Sequence, residues 1–357
     1  MRQPVSDSDE SGNPEFQKIM DGFLLQPGLP FATVVTDEKI NRVFARHGGL
    51  FGGNSIYSSA IVLWAFLGQV LRDGREASCQ SAVAGIISFC LQVGRDAPTA
   101  DTGDYCRARA KLSEPAIREL NTEIANDAEQ QADEAWLWKR RHAKLIDGFT
   151  FTMPDTEKNQ AEFPHPRTQK KSVGLPIARS VVILSLAIAM VMDVVLGPYK
   201  GKETGESALF RQMMASLMAG DVVVFDRYYC SFMMIAQLLH RRVDVCARLH
   251  HLRRVHFRKG HRIGKYDHLI VWTKPDRPAW MDKQTYANIP ETLELRELRY
   301  AIVERGKRTK SITVVTTLTD VDAYSKEDIA ELYGYRWSSE VCQADCTSSA
   351  GLYQLAG

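Results

Sequence analysis

The chain has 357 residues, 45% of them apolar and 25% charged, which suits two or three folded domains and excludes disorder throughout. A formal net charge of +2 excludes any wholesale electrostatic claim on nucleic acid, so such a claim rests on where the basic residues lie. The seven cysteines (79, 90, 106, 230, 246, 342 and 346) form no CxxC pair, and the chain opens on the polar MRQPVSDSDESG; reduced thiols in the cytoplasm are expected.

In chain order, the pattern from Phe16 to about Asp133 is helical. SSAIVLWAFLGQVLRDG repeats its apolar residues every three to four positions and stops at Gly74, and CQSAVAGIISFCLQVG repeats the signal and stops at Gly94. A polar loop and a further helix from Glu114 complete a helical N-terminal domain, 1–133. At Ala143 the pattern changes: AKLIDGFTFTMPD is β-branched and aromatic, and Val181 to Val195 holds enough apolar residues for one or two buried strands. The run from Ser180 to Met192 is bounded by Arg179 and Asp193 and is shorter than the ~20 residues a bilayer needs, so no membrane span is expected. A helix over TGESALFRQMMASLMAG leads into GDVVVFD, a central strand ending at Asp226, and a helix follows over about Ser231 to Arg241. HLIVWTK, LELRELRYAIVE and SITVVTTLTD read as strands, and Ser325 with Asp328 resembles a capping box opening the helix that carries LYGYRWSSE.

Asp147 in KLIDGF and Asp226 in VVVFDRYY stand at or near the ends of apolar strands. A buried carboxylate there costs several kcal/mol unless it is paired or binds metal, although one strand-end Asp alone is more often a turn or helix cap. Glu340 is the third acid. With Tyr333 and Arg336 at helical spacing it falls within a ~60° arc of one helix face, an arrangement equally open to a solvated Arg336–Glu340 ion pair.

Tyr333, Arg336 and Glu340 together resemble the signature of the DDE transposases of the insertion-sequence-four group. LIDGFTFTMPDT is similar to the family's segment with the first catalytic Asp, GDVVVFDRYY to that with the second, and QKKSVGLPIARSVVILSLA to the strand block between them; DTGDYCRARAKL is also similar. The resemblance implies an α/β fold with an RNase H-like catalytic core, its first part at 134–248, interrupted by a β-rich insertion at 249–322 and completed by a catalytic helix and tail at 323–357. It implies that Asp147, Asp226 and Glu340 hold two Mg²⁺ ions, with Mn²⁺ able to substitute, for in-line displacement at phosphorus. Water attacks first, and the freed 3′-OH then attacks the second strand or target DNA. Tyr333 and Arg336 are implied to contact phosphate near the cut. The implied partner is double-stranded DNA, transposon end and target, with a homodimer when synapsed.

Nine Lys or Arg against Asp244 alone lie between Arg241 and Lys265, and Arg253, Arg254, Arg258, Lys259 and Arg262 are candidates for a DNA track, against the plainer reading of a solvated face. Trp272 and Trp280 are candidates for stacking on a base, although a strand aromatic is more often core. His250, His251, His256 and His261 have no matching cysteine pair, which excludes structural zinc. Where the family pattern implies a Lys seven positions after Glu340 the sequence has Thr347, and VCQADCTSSAGLYQLAG reads as a truncated or frame-shifted tail. Two rival readings follow: a catalytically inactive remnant that binds DNA, and a metal-dependent nuclease that cuts without rejoining. A nucleotide-binding α/β enzyme is disfavoured, since no strand is followed by GxGxxG or GxxxxGKS.

Overall fold

Ser58 and Ser78, the N-caps of α2 (Ser59–Val70) and α3 (Cys79–Gln92), accept hydrogen bonds from the backbone N–H three residues on, and Thr36 does the same for α1 (Asp37–Arg46). The computed structural model describes residues 18, 21–53, 55–165, 174–301 and 311–336. Two compact units emerge, one built on the chain up to Leu120 and the other on Asn121–Ser339.

In the first unit α2 is apolar nearly all round and is enclosed, with Ile61, Val62, Leu63 and Trp64 all buried. The Trp64 indole N–H donates to Val35 O at 2.8 Å, so the buried polar tip of the largest core side chain is satisfied. α4 (Gly103–Arg109) and α5 (Glu114–Gln130) follow, the latter running on into the second unit.

The second unit is organised on one nine-stranded sheet in the order β3-β2-β1-β4-β5-β9-β8-β7-β6. β1 (Ala143–Thr152) is antiparallel to β2 (Ile177–Ser185), which is antiparallel to β3 (Val191–Pro198). β1 runs parallel to β4 (Val222–Phe225), and β4 parallel to β5 (Asp244–Arg248). The long apolar run of the sequence is thus β2 and the start of β3, a hairpin joined by a turn rather than one strand. β4 is buried on both faces, which is why VVVF does not alternate. One face is covered by α7 (Glu206–Met213) and α8 (Phe232–His240), whose Leu209, Phe210, Met213 and Ile235 share a core with Ile146, Val223 and Phe225. On the other face Leu145, Val222, Val224 and Cys246 pack with Ile329, Leu332 and Tyr333 of α10 (residues 326–336). A short helix α6 (Glu157–Glu162) lies between β1 and β2.

β6 (His261–Gly264), β7 (Asp267–Thr273), β8 (Thr292–Ala301) and β9 (Ser311–Thr316) continue the sheet antiparallel beyond β5, with α9 (Lys283–Asn288) between β7 and β8. The region is bound by polar groups as well as apolar ones. Arg296, 1% exposed, reaches Asp267 through Nε at 2.9 Å and Nη2 at 2.6 Å; Glu297 accepts from Trp272 Nε1 at 3.0 Å and meets His268 Nε2 at 3.1 Å. Gly260 adopts φ +76°, and a Cβ there would lie 2.0 Å from Leu269 O, so the approach to β6 requires glycine. No helix among the described residues is long and apolar enough to cross a membrane.

Candidate active site

The parallel register pairs Ile146 with Phe225, so the next residues on the two strands, Asp147 and Asp226, stand side by side at the end of β4. Alternation along each strand puts Asp147 on the face of Leu145, and Asp226 on that of Val222 and Val224. That is the face covered by α10. Asp147 Oδ1 accepts from the Gly148 amide at 3.0 Å, and Arg336 Nη2 stands 3.7 Å from the same oxygen. Asp226 is half-buried, and no hydrogen bond or ion pair from a described residue reaches its carboxylate.

Tyr333 shares α10 with Arg336 but is 1% exposed, its ring enclosed with Val224 and Leu332. Burial holds its hydroxyl well above the ordinary tyrosine range, with Arg336 opposing. Glu340 lies outside the described residues, as do Thr347 and the tail. Among the described residues no group of three His, Cys, Asp or Glu stands close enough to hold a metal ion.

A further carboxyl approaches from the opposite face. Glu206 opens α7, and a Cβ on Gly148 would come within 2.7 Å of Glu206 Cδ, so glycine beside Asp147 makes room for this side chain. Burial raises the Glu206 carboxyl above the usual glutamate range; Arg179 opposes the shift, and Asp147 and Asp226 add to it. Tyr229, 1% exposed, lies beside Glu206, its hydroxyl raised by burial and by Glu206. The sequence reading missed Glu206, Tyr229 and the role of Gly148. Its one available signal was the glycine directly after Asp147.

Immediately beyond Asp226 a cavity of about 530 Å³ opens, lined by Arg227, Arg248, Arg253, Arg254 and Arg299, with three histidines and, among the described residues, no acidic side chain. Arg248 on β5 pairs with Val314, and Arg299 on β8 with Thr313, so β9 lies between the two arginines. Arg299 Nε is held by Thr313 Oγ1 at 2.9 Å. Burial lowers the affinity of the His250 ring for a proton, and His251, Arg227 and Arg253 lower it further, a mark of the positive potential there.

Arg253 also lies 3.5 Å over the Trp272 ring, which is 4% exposed and therefore core; Arg211 covers Trp280 in the same way at 3.9 Å. Arg254, Arg258, Lys259 and Arg262 are exposed along the segment leading into β6. The structure thus gathers Arg253 and Arg254 with Arg227, Arg248 and Arg299, three cations that the sequence scatters.

Residues 138–352 match the family described as a transposase DDE domain. The chain is also 23% identical over 323 residues to the transposase InsG for insertion sequence element IS4 of Escherichia coli (strain K12), an alignment that covers 89% of this chain and 68% of that protein.

Proposed function

The chain belongs to the DDE transposases, in the IS4 family, and from that premise we propose that it cuts and rejoins the DNA of an insertion sequence at Asp147, Asp226 and Glu340. The single observation that carries the reading is the parallel register that pairs Ile146 with Phe225, and so makes Asp147 and Asp226 the next residues in line on the side of the helix that brings Arg336. The order β3-β2-β1-β4-β5, with two antiparallel strands joined to three parallel ones, supports an RNase H-like core, and the antiparallel strands β6 to β9 support the β-rich insertion.

The two aspartates fit a hard divalent cation: both offer oxygen ligands on one face, and Asp226 takes no other partner among the described residues. Mg²⁺, or Mn²⁺ in its place, would be held by Asp147, Asp226 and Glu340 and would supply charge stabilisation to the attacking and leaving oxygens. The remaining work falls to the chain. The Gly148 amide fixes one Asp147 oxygen, and Arg336 presents its planar fork to a phosphate at the cut. Tyr333 was read from sequence as a second phosphate contact. Because its ring is enclosed, we give it the task of anchoring α10 on the sheet. Phosphates flanking the cut lie along the arginine-lined cavity and the exposed Arg258, Lys259 and Arg262. The helical N-terminal region, 1–133, is the proposed reader of the transposon ends, and a homodimer holds two ends together. A reducing cytoplasm suits the free cysteines at 79, 90, 106, 230 and 246.

The test is strand cleavage and joining on DNA carrying the element's terminal repeats, with Mn²⁺ or Mg²⁺, for the native chain and Asp226→Ala. We expect the native chain to cut and join, and the variant to bind with undiminished affinity while cleavage is lost. DNA binding without cleavage by the native chain would make it an inactive relative; cleavage without joining would make it a nuclease.

A further inference from the structure

The first unit carries a polar cluster that the transposase reading does not use. Cys79 is the first residue of the fourteen-residue helix α3, and Cys106 lies within α4; their sulfurs are 3.6 Å apart. Two further donors converge on Cys79 Sγ: Arg109 Nη1 at 3.6 Å and Gln69 Nε2 at 3.7 Å. The donors are themselves held. Gln69, 5% exposed, gives Nε2 also to Ala77 O at 2.8 Å, while its Oε1 accepts from Tyr105 Oη at 2.8 Å and from Arg109 Nη1 at 3.1 Å. A buried amide, a buried phenol and a guanidinium therefore fix the surroundings of one sulfur. A positive guanidinium beside cysteine at a helix start is a setting that favours oxidation of that sulfur.

We propose that Cys79 and Cys106 form a reversible redox pair that closes to an intramolecular disulfide, stapling α3 to α4, when the chain meets hydrogen peroxide. The sulfurs are already in contact at 3.6 Å, against a bond length of about 2.05 Å. Both cysteines are partly exposed, so a small oxidant reaches them, whereas Cys90 in the same unit is 1% exposed. The Cys79 sulfur attacks one peroxide oxygen; the O–O bond breaks, the first water leaves, and Cys79 becomes a sulfenic acid. The Cys106 sulfur then attacks the Cys79 sulfur; the S–O bond breaks, the S–S bond forms, and the hydroxyl leaves as a second water with the Cys106 proton. Two thiols lose two electrons in total to one peroxide. A dithiol reductant restores both thiols and becomes a disulfide itself. Burial, with Cys79 adjacent, holds the Cys106 thiol above the ordinary cysteine range, consistent with its keeping its proton until the second step. Transient bonds of this kind are the usual form of disulfide in a reducing compartment.

The test uses the full chain. It is treated with hydrogen peroxide, unreacted thiols are blocked with N-ethylmaleimide in denaturant, and non-reduced peptides are weighed. We expect one peptide pair joined through Cys79 and Cys106, about 2 Da lighter than the sum of its parts, with Cys90 alkylated and the bond reversed by dithiothreitol. Cys79→Ser should abolish the joined pair, and Arg109→Gln should slow its formation several-fold with helical content unchanged by circular dichroism. The oxidised native chain should also melt several degrees higher than the reduced one. Cys79 carried to sulfinic acid without a bond, or Cys79 and Cys106 joined no more often than either is to the other cysteines, would overturn the proposal.

Discussion

Asp226 and Asp267 belong to one sheet and meet opposite fates. Asp267, 3% exposed at the start of β7, takes a two-bond fork from Arg296, whose Nη1 also donates to Tyr324 O at 2.6 Å. Asp226 directly follows β4, half-buried, with no partner for its carboxylate among the described residues, beside Asp147 and next to an arginine-lined cavity. A buried carboxylate with both oxygens held by a guanidinium is structure. One held near a second carboxylate, with its own oxygens left open, is placed for chemistry. The contrast predicts that breaking the first costs stability and leaves the chemistry intact, and that breaking the second does the reverse.

The largest effect on stability should come from Arg296→Leu, which strands the Asp267 charge and should cost about 3–5 kcal/mol in denaturant unfolding, whereas replacing both partners with apolar residues should cost far less. Equal losses for the single and double variants would sink the comparison. Next is Glu129, 6% exposed on α5, which meets the 3% exposed Lys144 at 2.5 Å. Burial pushes the Glu129 carboxyl up, but Lys144, Ser185 and His142 together bring it below the usual glutamate range. A lowered folded-state value means that the stabilisation is fully present above the unfolded glutamate range and is lost as pH falls through the folded value. Glu129→Gln should therefore cost ~2 kcal/mol at neutral pH, and the gap to the native chain should close on acidification below the ordinary glutamate range. A gap that widens in acid would reverse the assigned direction.

Gly148→Ala should cost about 1–3 kcal/mol, because its Cβ meets the Glu206 carboxyl, and Glu206→Ser should recover most of that loss in a double-mutant cycle. Additive losses would show that the glycine is needed for another reason. The smallest effect is the most telling: Asp226→Asn should change unfolding free energy by no more than ~0.5 kcal/mol, or raise it, since the variant removes a charge that stands beside Asp147.

Much of the part of the sheet that carries Asp147 and Asp226 was legible from the chain. AKLIDGFTF read as a strand from its β-branched and aromatic residues and VVVFD from its continuous apolar run, and the helix expected over about Ser231 to Arg241 is α8. The antiparallel strands β6 to β9 were less so. β6 has four residues within a run so basic that it read as a DNA track, and α9 has six residues after Asp282, too few to show a helical period. The convergence of Arg227, Arg248 and Arg299 depends on β9 lying between β5 and β8, a pairing that no local pattern encodes. The Trp272 ring answers to the same limit. From sequence it was either core or a stacking platform, and only packing puts Arg253 over one face and Glu297 on its indole nitrogen.

The most direct test of the central claim is a thermal-unfolding titration with Mn²⁺ of the native chain and of the Asp147→Asn/Asp226→Asn double variant. Ligand held by the folded state alone stabilises it by about 2.7 kcal/mol at a hundred times its dissociation constant, so the native melting temperature should rise by several degrees with the ion while that of the variant stays level. An equal rise in both proteins, or none in either, would contradict the assignment of the aspartate pair as the metal-holding centre.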